Sequence, residues 1–212
     1  MTIQTLNPAR LRLSARLLTL QPLVWIATVI IALTTIFSAG NLLDWTPAVM
    51  ADHRVGWLVF TTVELVGFLG GFVPALLILR ELAATRSRSL AWAGLICSAI
   101  GLGLMLTYLA LRFSVVNFVE PTLGDNFAFR LSTGPIGIVA DIATLLGIAA
   151  LGLCLWQTRL ARRTGMLVAV VSLLMIPLGL YKPPFIYSLL WLSLGIALLR
   201  VLAQGTWTPR LQ

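Results

Sequence analysis

Two carboxylates lie inside long apolar runs of this sequence, where an isolated charge is costly. Glu64 lies near the middle of VGWLVFTTVELVGFLGGFVPALLIL, residues 55–79, and Asp141 lies in a similar run, residues 135–157. An ionised carboxylate at the centre of a bilayer costs at least about 2.5 kcal/mol, so each acid requires a partner or a proton. Acids in this position are typical of sites that bind a proton, a cation or a small polar ligand.

Four other residues are candidate partners for the two acids. His53 and Arg54 precede the run that holds Glu64, Arg112 follows the third apolar run, and Tyr108 comes one helical turn before Arg112. In one interpretation Arg112 pairs with one of the acids and only fixes helix packing. In the other, these side chains line a polar pocket. The predicted ligand-binding or ion-binding residues are Glu64, Asp141, Arg112, His53, Arg54 and Tyr108.

The sequence offers little for catalysis or for metal binding. His53 is the single histidine, which excludes a bis-histidine haem and a zinc site of the usual type. No nucleophile with an adjacent base and no phosphate-binding loop is found. We therefore assign no catalytic residue and no metal ligand, and no cofactor can be named.

Composition places these residues in an integral membrane protein. Of the 212 residues, 59% are hydrophobic and 10% are charged, whereas a soluble domain carries roughly 25% charged residues. The chain divides into apolar runs near the roughly 20 residues that a helix needs to cross the hydrocarbon core. We predict one all-α transmembrane domain over residues 1–212, a six-helix bundle with spans at 21–39, 55–79, 90–111, 135–157, 164–181 and 184–200.

The basic residues predict the orientation of this bundle. Short loops rich in arginine and lysine stay in the cytoplasm, so the side with more of them is predicted to be cytoplasmic, together with both termini. That side carries Arg10, Arg12, Arg16, Arg80, Arg86, Arg88, Arg159, Arg162, Arg163, Arg200 and Arg210. The other side carries Arg54, Arg112, Arg130 and Lys182.

The sequence indicates lipids rather than nucleic acid as partners. The net charge is +8, but the basic residues are spread over short segments beside the membrane rather than gathered on one face. Contact with anionic lipid headgroups explains these arginine clusters better. Small residues on the third predicted helix, among them Ala93, Cys97 and Gly101, serve either internal packing or a homo-oligomer. A partner in a membrane complex stays open as well.

The second predicted helix carries Glu64 and three small residues on one face. Spacings of three and four residues connect Glu64 with Gly67, Gly71 and Ala75, and such a stripe lets a neighbouring backbone approach closely. Glu64 is therefore predicted to face protein rather than lipid. Asp141 lies on a similar face of the fourth helix, and VELVGFLGG aligns with ADIATLLGI so that the two acids coincide. We expect both in the outer half of the membrane, at comparable depths.

Two segments near the C-terminus carry a recognisable pattern. LWQTRLARRTGMLVAVVSLL is followed by PPFIYSLLWLSLGIALLR, whose last helix holds Trp191, Gly195, Ile196, Leu198 and Arg200. Over about residues 135–200 this pattern resembles the ending of uncharacterised six-span bacterial membrane proteins that are grouped as domains of unknown function. The resemblance implies a multi-pass protein of the bacterial inner membrane, and it implies no reaction.

Three classes of function remain. The first is an accessory or small-ligand-binding membrane protein without catalysis, with a polar pocket in the outer half of the bundle. The second is a small transporter or channel that uses Glu64 and Asp141, because Pro74 and Pro177 interrupt helices as in many transporters. The third is a lipid-modifying enzyme in which these acids and His53 supply acid–base chemistry. We favour the first, since no catalytic set is found.

Overall fold

The computed structural model describes residues 7–31, 33–34, 53–118, 132–178 and 184–204, and this part of the chain consists of helices joined by turns. This agrees with the predicted all-α class. A short π-helical segment, Ser132–Ile136, leads into the fourth helix. The helices are α1 (Pro8–Ile31), α2 (Arg54–Leu82), α3 (Arg88–Phe118), α4 (Gly137–Gln157), α5 (Arg162–Met175) and α6 (Pro184–Ala203).

Among the described residues, five of the six helices are long and apolar enough to cross a membrane, and α5 is the exception. α5 has 14 residues, which gives about 21 Å of helix against a hydrocarbon core of about 30 Å. The predicted fifth span, 164–181, is thus helical only up to Met175, because Pro177 has no amide hydrogen with which to continue the helix. Residues 176–178 form a turn, and residues 179–181 lie outside the described ranges.

The first helix begins at Pro8, well before the predicted start of the first span at residue 21. Proline is favoured at the first position of a helix because it has no amide hydrogen to leave unpaired. The side chain of Asn7 accepts hydrogen bonds from the amides of Ala9 and Arg10 at 3.0 and 3.2 Å, which is the usual arrangement at a helix N-cap. The basic segment before the predicted first span, with Arg10, Arg12 and Arg16, is therefore the first part of α1.

This start of α1 contacts the last turns of α2 and α6. Arg10 Nη1 lies 3.4 Å from Glu81 Oε1, and Arg12 Nη2 donates a hydrogen bond to the carbonyl oxygen of Leu202 at 3.2 Å. The beginning of α1 and the ends of α2 and α6 therefore lie at the same end of the bundle.

Helices that follow each other in the chain are antiparallel neighbours. Gly94 of α3 lies against Ala150 of α4, and Gly101 lies against Thr144, so the residue numbers rise along one helix as they fall along the other. The turn between α4 and α5 therefore lies beside the turn between α2 and α3, while α6 packs against α1. We call this end of the bundle the basic end; its arginines are Arg10, Arg12, Arg16, Arg80, Arg86, Arg88, Arg159, Arg162, Arg163 and Arg200.

The small residues of α2 make room for aromatic rings rather than for a backbone. A Cβ atom at Gly67 would press on the indole of Trp25 from α1, and one at Gly71 would overlap the indole of Trp191 from α6. Close backbone approach occurs instead where α4 meets α5, at Gly152. A glycine leaves room for either an aromatic ring or a neighbouring backbone. The row of small residues on α2 therefore did not predict which of the two packs there.

The small residues of α3 pack against neighbouring helices of the same chain. A Cβ atom at Gly94 would press on Leu79 of α2, and one at Gly147 of α4 would collide with Ser98. These positions support the internal-packing interpretation of the stripe, and a homo-oligomer stays a prediction. Cys97 and Cys154 are free thiols.

Candidate ligand-binding site

Arg112 lies inside the bundle, although we predicted it at an outer helix end. α3 continues to Phe118, past the predicted end of the third span at residue 111. The side chain of Arg112 is only 2% exposed. A buried arginine requires a charged or aromatic environment, and α2 supplies one. Arg112 therefore does not belong with the basic residues outside the membrane.

The guanidinium of Arg112 forms an ion pair with Glu64. Its Nη1 atom donates a hydrogen bond to Glu64 Oε2 at 2.6 Å and another to the hydroxyl of Tyr108 at 2.8 Å. The side chain of Glu64 is 6% exposed, so the ion pair is enclosed by protein. Hydrogen bonds between ionised groups are shorter and stronger than neutral ones, and this pair holds α2 against α3.

Three aromatic rings surround the same guanidinium. Its Cζ atom lies 5.0 Å from the ring centroids of Trp57 and Tyr108 and 5.3 Å from that of Phe60. Cations within about 6 Å of a ring centroid are attracted by the electron density of the ring face. Trp57, Phe60 and Glu64 follow one another at spacings of three and four residues, so one face of α2 presents both the rings and the acid to Arg112.

Asp141 has a different partner from Glu64. The hydroxyl of Tyr187, from α6, donates a hydrogen bond to Asp141 Oδ1 at 2.8 Å. Tyr187 is fully buried, whereas Asp141 is half-buried. Asp141 is therefore the more accessible of the two acids.

The two acids lie at different levels of the bundle, with Tyr108 between them. Since Gly101 faces Thr144 across antiparallel helices, Leu104 of α3 lies level with Asp141. Arg112 is two helical turns further along α3, about 12 Å away along the axis. Tyr108 is halfway between these levels.

His53 and Arg54 lie apart from this network. His53 is the N-cap residue of α2 and Arg54 begins the helix. Glu64 is therefore about 16 Å from His53 along the helix axis. Arg54 is exposed and His53 is half-buried. Of the other predicted residues, Glu64, Arg112 and Tyr108 contact one another, whereas Asp141 contacts Tyr187.

Three residues around these acids, Tyr187, Trp57 and Phe60, were not among the predicted ones. Tyr187 is 46 positions from Asp141, and no pattern indicates which face of α6 turns toward α4. Trp57 lies in the first turn of α2 and is 1% exposed. A signal for Trp57 and Phe60 does exist in the sequence, because both share the helical face of Glu64.

No protein-family model matches this chain, and neither does any curated protein or solved structure. The resemblance of residues 135–200 to uncharacterised bacterial membrane proteins therefore stays a prediction. The function has to be inferred from the chemistry of the site.

Proposed function

We propose that this chain is a bacterial inner-membrane protein that binds a small cation in the outer half of a six-span bundle and catalyses no reaction. Both termini are cytoplasmic in this proposal. It rests chiefly on one observation, the half-buried carboxylate of Asp141 that Tyr187 holds in place. The ligand class includes alkali cations, small organic ammonium and guanidinium ions, and the proton.

The two acids differ in what they offer to a ligand. Glu64 is buried and its charge is balanced by Arg112, so it serves to fix α2 against α3. Asp141 is half-buried, and Tyr187 orients its carboxylate through a hydrogen bond to Oδ1. A carboxylate beside low-dielectric surroundings attracts a cation more strongly than one in water does. Asp141 is therefore the acid that we assign to the ligand.

The arrangement of charges supports the proposed orientation. The basic end gathers the arginines that the positive-inside rule places in the cytoplasm. Asp141 precedes the end of α4 at Gln157 by 16 positions, or about 24 Å of helix. A core of about 30 Å then leaves Asp141 in the half away from the basic end.

A small transporter that uses the same acids is the alternative. Tyr108 favours it, because it contacts Arg112 and lies between the levels of Arg112 and Asp141, and a series of ionisable groups across neighbouring helices is typical of proton relays. The two proposals differ in whether the ligand crosses the membrane. A lipid-modifying enzyme draws no support from His53, which lies about 16 Å along α2 from Glu64.

Thermal unfolding in lipid nanodiscs tests the binding proposal. The probes are methylammonium, guanidinium, sodium and potassium, each at constant ionic strength. A ligand at 100 times its dissociation constant stabilises the folded state by about 2.7 kcal/mol. At least one probe is expected to raise the Tm of the wild type, and Asp141→Asn is expected to abolish that shift.

Glu81→Gln is the matched control for Asp141→Asn. It removes a carboxylate by the same conservative change at the basic end, where Glu81 pairs with Arg10. The control should respond to the probes as the wild type does. Equal shifts in Asp141→Asn and the wild type, or no shift with any probe, would contradict the proposal. Uptake of the active probe into proteoliposomes would favour the transporter instead.

A further inference from the structure

A groove of about 550 Å³ lies at the basic end, between the last turn of α4 and the first turns of α5. It is far from Asp141, which is about 24 Å of helix away from this end. Its walls combine two cations with apolar side chains, and the lining residues are Trp156, Arg162, Arg163, Met166, Leu167 and Val170.

The upper part of the groove is positively charged from two sources. Arg162 and Arg163 begin α5 and both are exposed. The N-cap residue, Ala161, provides no side-chain hydrogen bond, and the first turn contains no acidic residue. The first amides of a helix have no partner within it and carry the positive end of the helix dipole. This combination suits an anion such as a phosphate group.

The lower part of the groove is apolar. Met166, Leu167 and Val170 are 41%, 64% and 42% exposed, and they continue the helical face that begins with the two arginines. The ring of Trp156 from α4 lines the same groove. An elongated apolar surface that starts directly at two cations matches a molecule with an anionic head and a hydrocarbon tail.

We propose that this groove binds one anionic phospholipid of the leaflet at the basic end. Its phosphate lies at Arg162 and Arg163, and an acyl chain lies along Met166 and Val170. Free phosphate would leave the apolar wall uncovered, and a zwitterionic lipid would bring its own cation toward the arginines. Charge complementarity thus selects an anionic lipid, whatever binds at Asp141.

Native mass spectrometry of the detergent-solubilised protein tests this site. The protein is titrated with phosphatidylglycerol, with phosphatidylcholine of the same acyl chains, or with inorganic phosphate as competitor. The wild type is expected to retain one phosphatidylglycerol in preference to phosphatidylcholine. Removing both charges in Arg162→Gln/Arg163→Gln should weaken this binding about 30-fold, given the usual contribution of an arginine near the membrane surface.

Two further variants complete the experiment. Arg86→Gln/Arg88→Gln removes two exposed charges at the same end of the bundle and should bind the lipid as the wild type does. Val170→Trp obstructs the apolar wall without changing any charge and should weaken binding even if the arginine variant fails to fold. Equal binding by wild type, the arginine variant and Val170→Trp would overturn the proposal. So would equal retention of phosphatidylcholine, or displacement of the lipid by millimolar phosphate, which would indicate a free-phosphate site.

Discussion

Arg112 illustrates how a charged residue comes to lie within a span of this bundle. The sequence alone suggested a helix end, because arginines commonly follow apolar runs there. The contact with Glu64 at 2.6 Å and the three surrounding rings instead stabilise the guanidinium inside. Its pairing with Glu64 was one of the alternatives open from the sequence, whereas Tyr187 was not foreseeable, because nothing local fixes the rotation of α6.

Replacing Arg112 by an apolar residue should strongly destabilise the protein. Arg112→Met leaves Glu64 buried without its cation, and breaking a buried ion pair in this way typically costs about 3–5 kcal/mol. The double variant Arg112→Met/Glu64→Met removes both charges and should lose less than Arg112→Met alone. The measurement is the free energy of unfolding in mixed detergent micelles.

Arg86→Met is the control for this pair of variants. Arg86 is exposed in the turn between α2 and α3, so the loss should stay within about 0.5 kcal/mol, as for most surface substitutions. If Arg112→Met and Arg86→Met cost the same, the buried pair does not hold α2 against α3.

Tyr187 and Asp141 should show energetic coupling. Tyr187→Phe removes the donor of this hydrogen bond and Asp141→Leu removes its acceptor, so the double variant should lose less than the sum of the single ones. Coupling energies of hydrogen bonds between membrane helices average about 0.6 kcal/mol and reach about 1.7. Tyr187 and Glu81 lie far apart, so the double variant Tyr187→Phe/Glu81→Gln should lose the sum of the unfolding free energies that the two single variants lose. If the losses also add for the pair of Tyr187 and Asp141, these two residues do not form the hydrogen bond.

Helix α2 shows which parts of the fold its sequence determines. The apolar run predicted a span over 55–79, and the helix covers Arg54–Leu82. The stripe of small residues predicted a buried face, and Gly67 and Gly71 are indeed buried. What fills the space opposite a glycine depends on the neighbouring helices, which local spacing does not reveal. Helices α3 and α5 end at other residues than the predicted spans, because Arg112 is paired within α3 and Pro177 follows α5.

Two adjacent glycines of α2 should respond in opposite ways to the same substitution. Gly71→Ala drives a methyl group into the ring of Trp191, and overpacking of this kind typically costs about 1–3 kcal/mol. Gly70→Ala meets nothing within 4 Å, and alanine favours a helix by roughly 0.5–1 kcal/mol over glycine. In mixed micelles the free energy of unfolding should therefore fall in Gly71→Ala and rise slightly in Gly70→Ala.

The smaller ring in Trp191→Phe should reduce the cost of Gly71→Ala, since it relieves the overlap. An equal loss at Gly70 and Gly71 would mean that Trp191 does not occupy the space beside α2. In that case overlap with Trp191 would not explain why residue 71 is a glycine.

The distribution of charge along the bundle is the feature that the sequence predicted most directly. Contacts of Arg10 and Arg12 bring the start of α1 to the ends of α2 and α6, and the antiparallel register brings the remaining arginine clusters to that same end. The sequence also pointed to an integral membrane protein through its composition alone. How the helices are arranged around Asp141 depends on packing between distant segments, which composition does not specify.

Labelling of single cysteines in intact bacterial cells should reveal the orientation. In a background with Cys97→Ala and Cys154→Ala, His53→Cys should react with a membrane-impermeant maleimide added outside. Arg86→Cys should react only after the cells are opened, because the basic end is proposed to face the cytoplasm. The reverse pattern would place the Asp141 site in the inner half of the membrane.

The most direct test of the account is infrared difference spectroscopy of the protein when a cation is added. The spectrum recorded with and without the active probe should show a change in carboxylate bands as the ligand binds. We predict that this change disappears in Asp141→Asn and persists in Glu81→Gln. An unchanged difference spectrum in Asp141→Asn would contradict the assignment of Asp141 as the ligand-binding acid.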